Sequence, residues 1–454
     1  MSFETYLRTY LRKKIIGNSS MLIRRETMKK IFMSIMVVSL FSVSLSLSGT
    51  VYSDEIESNE KAKNFIANKM INSIDYFEKI EISFREKYGN LPEYEYIIHA
   101  KADFEKGILH EEYQEIVNEK EVSDYHMSVF DRNNDNEFYS IDMLQRSYLK
   151  GKYEHEEPGE NKKDISSRLI KYDDKFVMDQ RSSSLPLSMS ADSIFSQQYA
   201  TQLLSDFSSW SIKGSEFYLE RDALVLSGAY PEDLGLKLKA DTFEMYVDSN
   251  TGVLLSLEGF KDGVITNYLK VDSINYDSMI SLNRSTLPNL GSFEQKVIDN
   301  SEEIADLDVE NVELLSPFAG VYSYVVDNDP LPGQGAQGSS NYSWISNSAA
   351  LNGEERYTTT NDSFYFWGYK GAYPSYKLQA YLCSPRATAT AAEYWGQYGK
   401  VYFASLNQNL ASCGWNTFKS KVTYPLVPVN AYDLGVNVMN KSRSVADGMN
   451  FIVL

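Results

Sequence analysis

The chain has 454 residues, with 44 Lys and Arg against 62 Asp and Glu, and a net charge of −18. That charge is uneven: residues 1–53 carry +6, residues 332–454 carry +3, and residues 54–331 carry −27. Such acidity argues against a nucleic-acid partner, which rewards clustered Lys and Arg, while the length suits two domains after an export segment.

From Met28 the chain reads MKKIFMSIMVVSLFSVSLSLSGTVYSDE. Lys29 and Lys30 form a basic start, Ile31 to Leu47 an apolar, serine-rich run, and Val51-Tyr52-Ser53 a small-residue cleavage site. This predicts a cleaved signal peptide at 28–53 and a secreted, extracellular or cell-surface protein. The run is shorter than the ~20 apolar residues that span a bilayer. Residues 1–27 are taken as an upstream extension outside the fold. The only cysteines, Cys383 and Cys413, lie beyond the export segment and are expected to form a disulfide. Closing that loop stabilises by on the order of 3–4 kcal/mol in the chain-entropy model.

Residues 54–280 read as one domain. Ala62, Phe65, Ile66, Met70 and Ile74 recur at helical steps. The period then changes to two, first through Ile80, Ile82 and Phe84, then through Tyr94, Tyr96 and Ile98. Further short runs separated by turn signals predict about eleven antiparallel strands. One helix interrupts them: in SADSIFSQQYATQLLSDFSSW, Phe195, Tyr199, Leu203, Phe207 and Trp210 share a face. In DTFEMYVDSNTGVLLSLEGFKDGVITNYLKV, from Asp241, the carboxylates Asp241, Asp248 and Asp262 mark three turns. Leu236, Leu238 and Ala240 are out of phase with Phe243, Met245 and Val247, which predicts a bulge or bend near Asp241-Thr242. Residues 281–343 read as an irregular connector ending in a Gly/Pro/Ser-rich linker. Residues 344–454, with four of the five tryptophans, read as a small, disulfide-bonded, sandwich-like β-domain. The alanine-rich stretch at 387–397 is its one helix candidate.

Chemistry is sparse. The four histidines, His99, His110, His126 and His155, show no metal-ligand or nucleophile spacing, so no catalytic residue, metal or cofactor is assigned. Asp131 to Asp142 has carboxylates at calcium-loop positions, but Asn136 replaces the turn glycine and flanking alternation favours a hairpin. Glycosidase chemistry needs only two acids, and Glu354, Glu355, Asp362 and Glu393 are its local candidates.

A helix, a long meander, an internal apolar helix and FEMYVDSNTGVLLSLEGFKDGVITNYLKVDSINY, with KMINSIDYFEKIEISF at 69–84, resemble the LolA/RseB-like superfamily over about 55–276. The chain looks most like its secreted Gram-positive members. The resemblance implies an open half-barrel with helices on its concave side, around a cavity for acyl chains or a peptide. Relatives sort lipoproteins or regulate sigma-factor signalling. The expected protein is therefore not an enzyme: its half-barrel holds a hydrophobic or lipid ligand or an envelope protein partner, with Phe195, Tyr199, Leu203, Phe207 and Trp210 lining the groove, and its C-terminal domain acts at the surface. A bacteriocin-like toxin, an envelope-stress regulator and a carbohydrate-active enzyme stay open as alternatives.

Overall fold

A computed structural model describes residues 51–153, 164–172, 175–178, 180–277, 280, 282, 287–296 and, with interruptions, 323–453. The signal segment at 28–50, His155 and most of the 281–343 connector lie outside the described residues. No helix among the described residues is long and apolar enough to cross a membrane.

Helix α1 (Val51–Met70) leads into the strands β1 (Lys79–Lys87), β2 (Tyr94–Asp103), β3 (Ile108–Val117), β4 (Glu121–Asp131), β5 (Glu137–Asp142) and β6 (Ser147–Tyr153). A short helix α2 (Ile165–Arg168) and the hairpin β7 (Leu169–Tyr172) and β8 (Lys175–Met178) follow. Helices α3 (Ala191–Ile194) and α4 (Gln197–Leu204) precede β9 (Trp210–Tyr218) and β10 (Arg221–Ala229). Helix α5 (Glu232–Leu238) leads to β11 (Thr242–Asp248), β12 (Leu254–Lys261) and β13 (Val264–Tyr276). Eleven of these strands form one antiparallel ribbon in the order β9, β10, β11, β12, β13, β1, β2, β3, β4, β5, β6. The sheet stays open: β9 and β6 do not pair.

Alternation explains which face is covered. In β1, Ile80, Ile82 and Phe84 are buried, while Glu81 pairs with Lys101 at 2.7 Å and Arg85 donates two bonds to Asp272 on the other face. Helix α1 covers the buried face with Ile66, Ala67 and Met70. Ser193 Oγ on α3 donates to the Leu254 carbonyl at 2.7 Å, and Ser73 Oγ to that of Ile194 at 2.5 Å. The Asp131 to Asp142 segment is a hairpin, with Asp131 opposite Glu137 and positive φ at Asp135 and Asn136. At the β11–β12 turn Asp248 accepts from the Asn250 and Thr251 amides, and Gly252 takes φ +79°.

Three expectations are corrected. The helix predicted through Trp210 breaks at Phe195-Ser196 and ends at Leu204, so that Trp210 opens β9. Asp206 accepts from the Ser208 amide and hydroxyl, a local bonding pattern that competes with helix. Leu236 and Leu238 are not extended: they lie on α5, which Lys239 closes in the left-handed conformation at φ 56°. The alanine-rich stretch holds a strand rather than a helix, because pairing on both sides overrides its local propensity.

The C-terminal strands are β14 (Glu294–Gln295), β15 (Ser323–Asp327), β16 (Gln334–Gly338), β17 (Ser343–Ser346), β18 (Glu354–Thr358), β19 (Ser363–Tyr369), β20 (Ser375–Leu382), β21 (Ala392–Gly396), β22 (Val401–Leu406), β23 (Gly414–Thr423), β24 (Leu434–Asn440), β25 (Ser444–Ala446) and β26 (Gly448–Val453). β22 joins β6 in parallel, Val401 opposite Lys152 and Tyr402 opposite Tyr153, and extends the large sheet through β21, β24, β19 and β16. A second sheet runs β15, β26, β20, β23, β8, β7, and a small third one β17, β18, β25. Tyr394 of β21 stacks on Phe418 of β23 at 4.1 Å, a contact between the two larger sheets. Residues Glu60–Leu454 form one compact unit.

Candidate functional site

The inner face of the half-barrel is not uniformly apolar. Glu86 follows Ile80, Ile82 and Phe84 on the covered side of β1, and Glu111, Tyr113 and Glu115 alternate inward on β3. Asp124, His126 and Ser128 on β4, with Ser140 and Asp142 on β5, are also buried. A buried carboxylate needs donors or a proton. Tyr199 on α4 donates to Glu86 Oε1 at 2.5 Å. Burial pushes the Glu86 carboxyl up to about 7. Asp192 on α3 is raised too, by burial first and then by the nearby Glu86 charge. Burial also raises Glu111, although the Ser190 hydroxyl and the Ser188 amide donate to it.

Residues 387–396 and 401–411 of the same chain lie over this face. Asn407 Nδ2 donates to Tyr88 Oη and to Asp192 Oδ2, both at 2.8 Å, while Asn407 Oδ1 accepts from the Asn409 and Leu410 amides. The turn after β22 is held from outside as well: Gln198 donates to the Asn407 carbonyl, Asn90 to Asn409 Oδ1, and Lys237 to the Gln408 carbonyl. Trp395 and Tyr402 pack on Phe138 at ring distances of 5.6 and 4.1 Å. Tyr402 lies 6.0 Å from Tyr153, whose ring meets Phe130 edge-on at 5.5 Å. Glu393, fully buried, accepts from Ser140 Oγ at 2.9 Å and from Trp395 Nε1 at 3.1 Å. His126 Nε2 is 2.9 Å from the same serine hydroxyl. The segment thus adds an aromatic core and polar partners to a face that has both.

Phe195 (in the bend), Tyr199 and Leu203 (on α4) and Trp210 (at the start of β9) are all buried in the main core, and Phe207 packs partly buried against it. Phe207 meets Trp210 edge-on at 6.0 Å, and Lys63 Nζ donates to both their carbonyls. Phe195 borders a cavity of about 70 Å³ that it shares with Asp192, Phe403 and Asn407. That space lies far below the ~300–1,000 Å³ of ordinary ligand sites. Cys383 and Cys413 form the expected disulfide. Glu354 and Glu355 lie on β18 with side chains outside the described set, Asp362 lies outside the described residues, and Glu393 is engaged as above. Among the described residues no group of three or more His, Cys, Asp or Glu is placed to hold a metal.

Sequence reasoning missed Glu86, Glu111, Asp192 and Asn407. For two of them a signal existed: Glu86 shares parity with Ile80, Ile82 and Phe84, and Glu111 with Leu109 and Tyr113. Asn407 carries none, since only the fold brings it to Tyr88.

No protein-family model matches the chain, and no curated protein matches it. Among solved structures it is similar to MucB, at 9% identity and TM-score 0.29 over 85% of this chain and 98% of that one. It is also similar to the Pseudomonas aeruginosa MucA/MucB complex, at 11% and 0.28 over 87% and 94%, and to LprF from Mycobacterium bovis, at 10% and 0.27 over 50% and 99%. At such identities and scores the likeness carries no fold, site residue or partner across. The open half-barrel rests on its own strand register.

Proposed function

We propose that the protein is an exported, non-enzymatic binding protein whose half-barrel receives polypeptide, and that residues 387–396 and 401–411 occupy the receiving face in the form described. The observation that carries this is the engagement of that face by a backbone turn and aromatic side chains of the chain itself. The inward carboxylates favour such an occupant over an acyl chain, because amide and hydroxyl groups satisfy them and methylenes do not. Phe195 and Tyr199 face the occupant in this reading, with Leu203, Phe207 and Trp210 supporting them from behind. The C-terminal β-domain supplies the occupant from its inner side and acts at the cell surface with its outer one. A partner protein enters by replacing residues 387–396 and 401–411, pairing along β6 as β22 does.

Native mass spectrometry of gently purified full-length protein tests the reading. The expected spectrum is the bare polypeptide mass. A stoichiometric co-purifying two-chain lipid, released on denaturation, contradicts it and restores the lipid-carrier alternative.

A further inference from the structure

A cavity larger than the one beside Phe195 lies outside the half-barrel face. It lies between α5 and the Cys383–Cys413 disulfide, has a volume of about 430 Å³, and is lined by Pro231, Leu234, Leu236 and Leu382 as well as Lys237. That volume falls within the usual range for small-molecule sites. Leu236, on the wall of this cavity, is 74% exposed. Lys237 is half-buried, and its Nζ donates to the Gln408 carbonyl at 2.7 Å. No carboxylate lies within ion-pair distance of that amine among the described residues, in a chain with an excess of acidic groups. An ammonium has three donors, so one backbone acceptor leaves the group short of partners and of countercharge. Asp233 is also on the wall, but it is exposed, where water and salt screen it.

We propose that this pocket binds a small organic monoanion with an apolar body, its anionic group on the Lys237 ammonium and its apolar part against Leu234, Leu236 and Leu382. Burial holds the Lys237 amine down at about 7. The protonated form that pairs with an anion is therefore lost over the mildly alkaline range, and affinity falls about tenfold for each pH unit above that point.

Titration calorimetry of decanoate into the full-length chain at pH 6 and pH 8 tests this. Wild type is expected to bind at pH 6 and to weaken roughly tenfold by pH 8. Lys237→Met, which keeps the apolar stem, is expected to weaken binding at pH 6 at least tenfold and to abolish the pH dependence. Because Lys237 also ties the 407–411 turn, Leu236→Asp provides a second variant that leaves this tie intact; its charge at the mouth is expected to weaken decanoate binding too. Absence of binding to wild type overturns the proposal. So does equal affinity in both variants, or decanol binding as tightly as decanoate.

Discussion

Glu86 shows how one inward residue shapes the whole face. Its position follows from the two-residue period of β1, which places it beside Phe84 in the core, where a carboxylate is costly. The folded protein therefore holds a proton there that the unfolded chain releases, and Asp192 acts in the same direction. A raised acid stabilises fully below its ordinary value, near 4.5, and loses that contribution as pH rises through about 7. Thermal stability is thus expected to fall between pH 5 and pH 8, by up to ~1.4 kcal/mol per pH unit for each such proton. Glu86→Gln mimics the protonated form and should flatten this fall, raising Tm above wild type at pH 8 while changing it little at pH 5. A wild type equally stable at both pH values would show that the carboxyls are not strained by burial.

At the scale of elements, the β-hairpins of 79–153 and the corners at Asp248 and Asp262 were legible because alternation and turn chemistry are local. The strand at 392–396 was not. The alanines at 387–392 suit a helix, and only pairing with residues 401–406 and 436–439 makes 392–396 extended. The helix expected to run on to Trp210 failed for the opposite reason, since Asp206 and its serines form a turn whatever the apolar spacing predicts. Nor is the filling of the inner face visible in sequence, because it joins residues separated by 319 positions. Asn407 concentrates that junction, with four hydrogen bonds from one side chain. Asn407→Ala leaves Tyr88, Asp192 and two amides short of partners and is expected to destabilise by about 2–3 kcal/mol. Urea unfolding at pH 7 checks the value. A loss below about 0.5 kcal/mol would mean that the turn is held elsewhere.

Over the whole molecule, the large sheet runs from β9 at one edge of the half-barrel through β6 into β22 and the C-terminal strands. The linker-separated organisation expected from composition divides the chain at 281–343, yet the C-terminal strands complete the core of the first half: Trp395, Tyr402 and Leu410 belong to the same buried cluster as Phe84 and Tyr199. On the proposed reading the protein carries both a receiving face and its occupant, and function turns on whether the two separate as a unit. Amide hydrogen exchange of the full-length chain measures this directly. Residues 401–411 should be protected nearly as well as β1 in wild type, and Asn407→Ala should release 401–411 while β1 stays protected. Rapid exchange of 401–411 in wild type, beside a protected β1, would contradict the account.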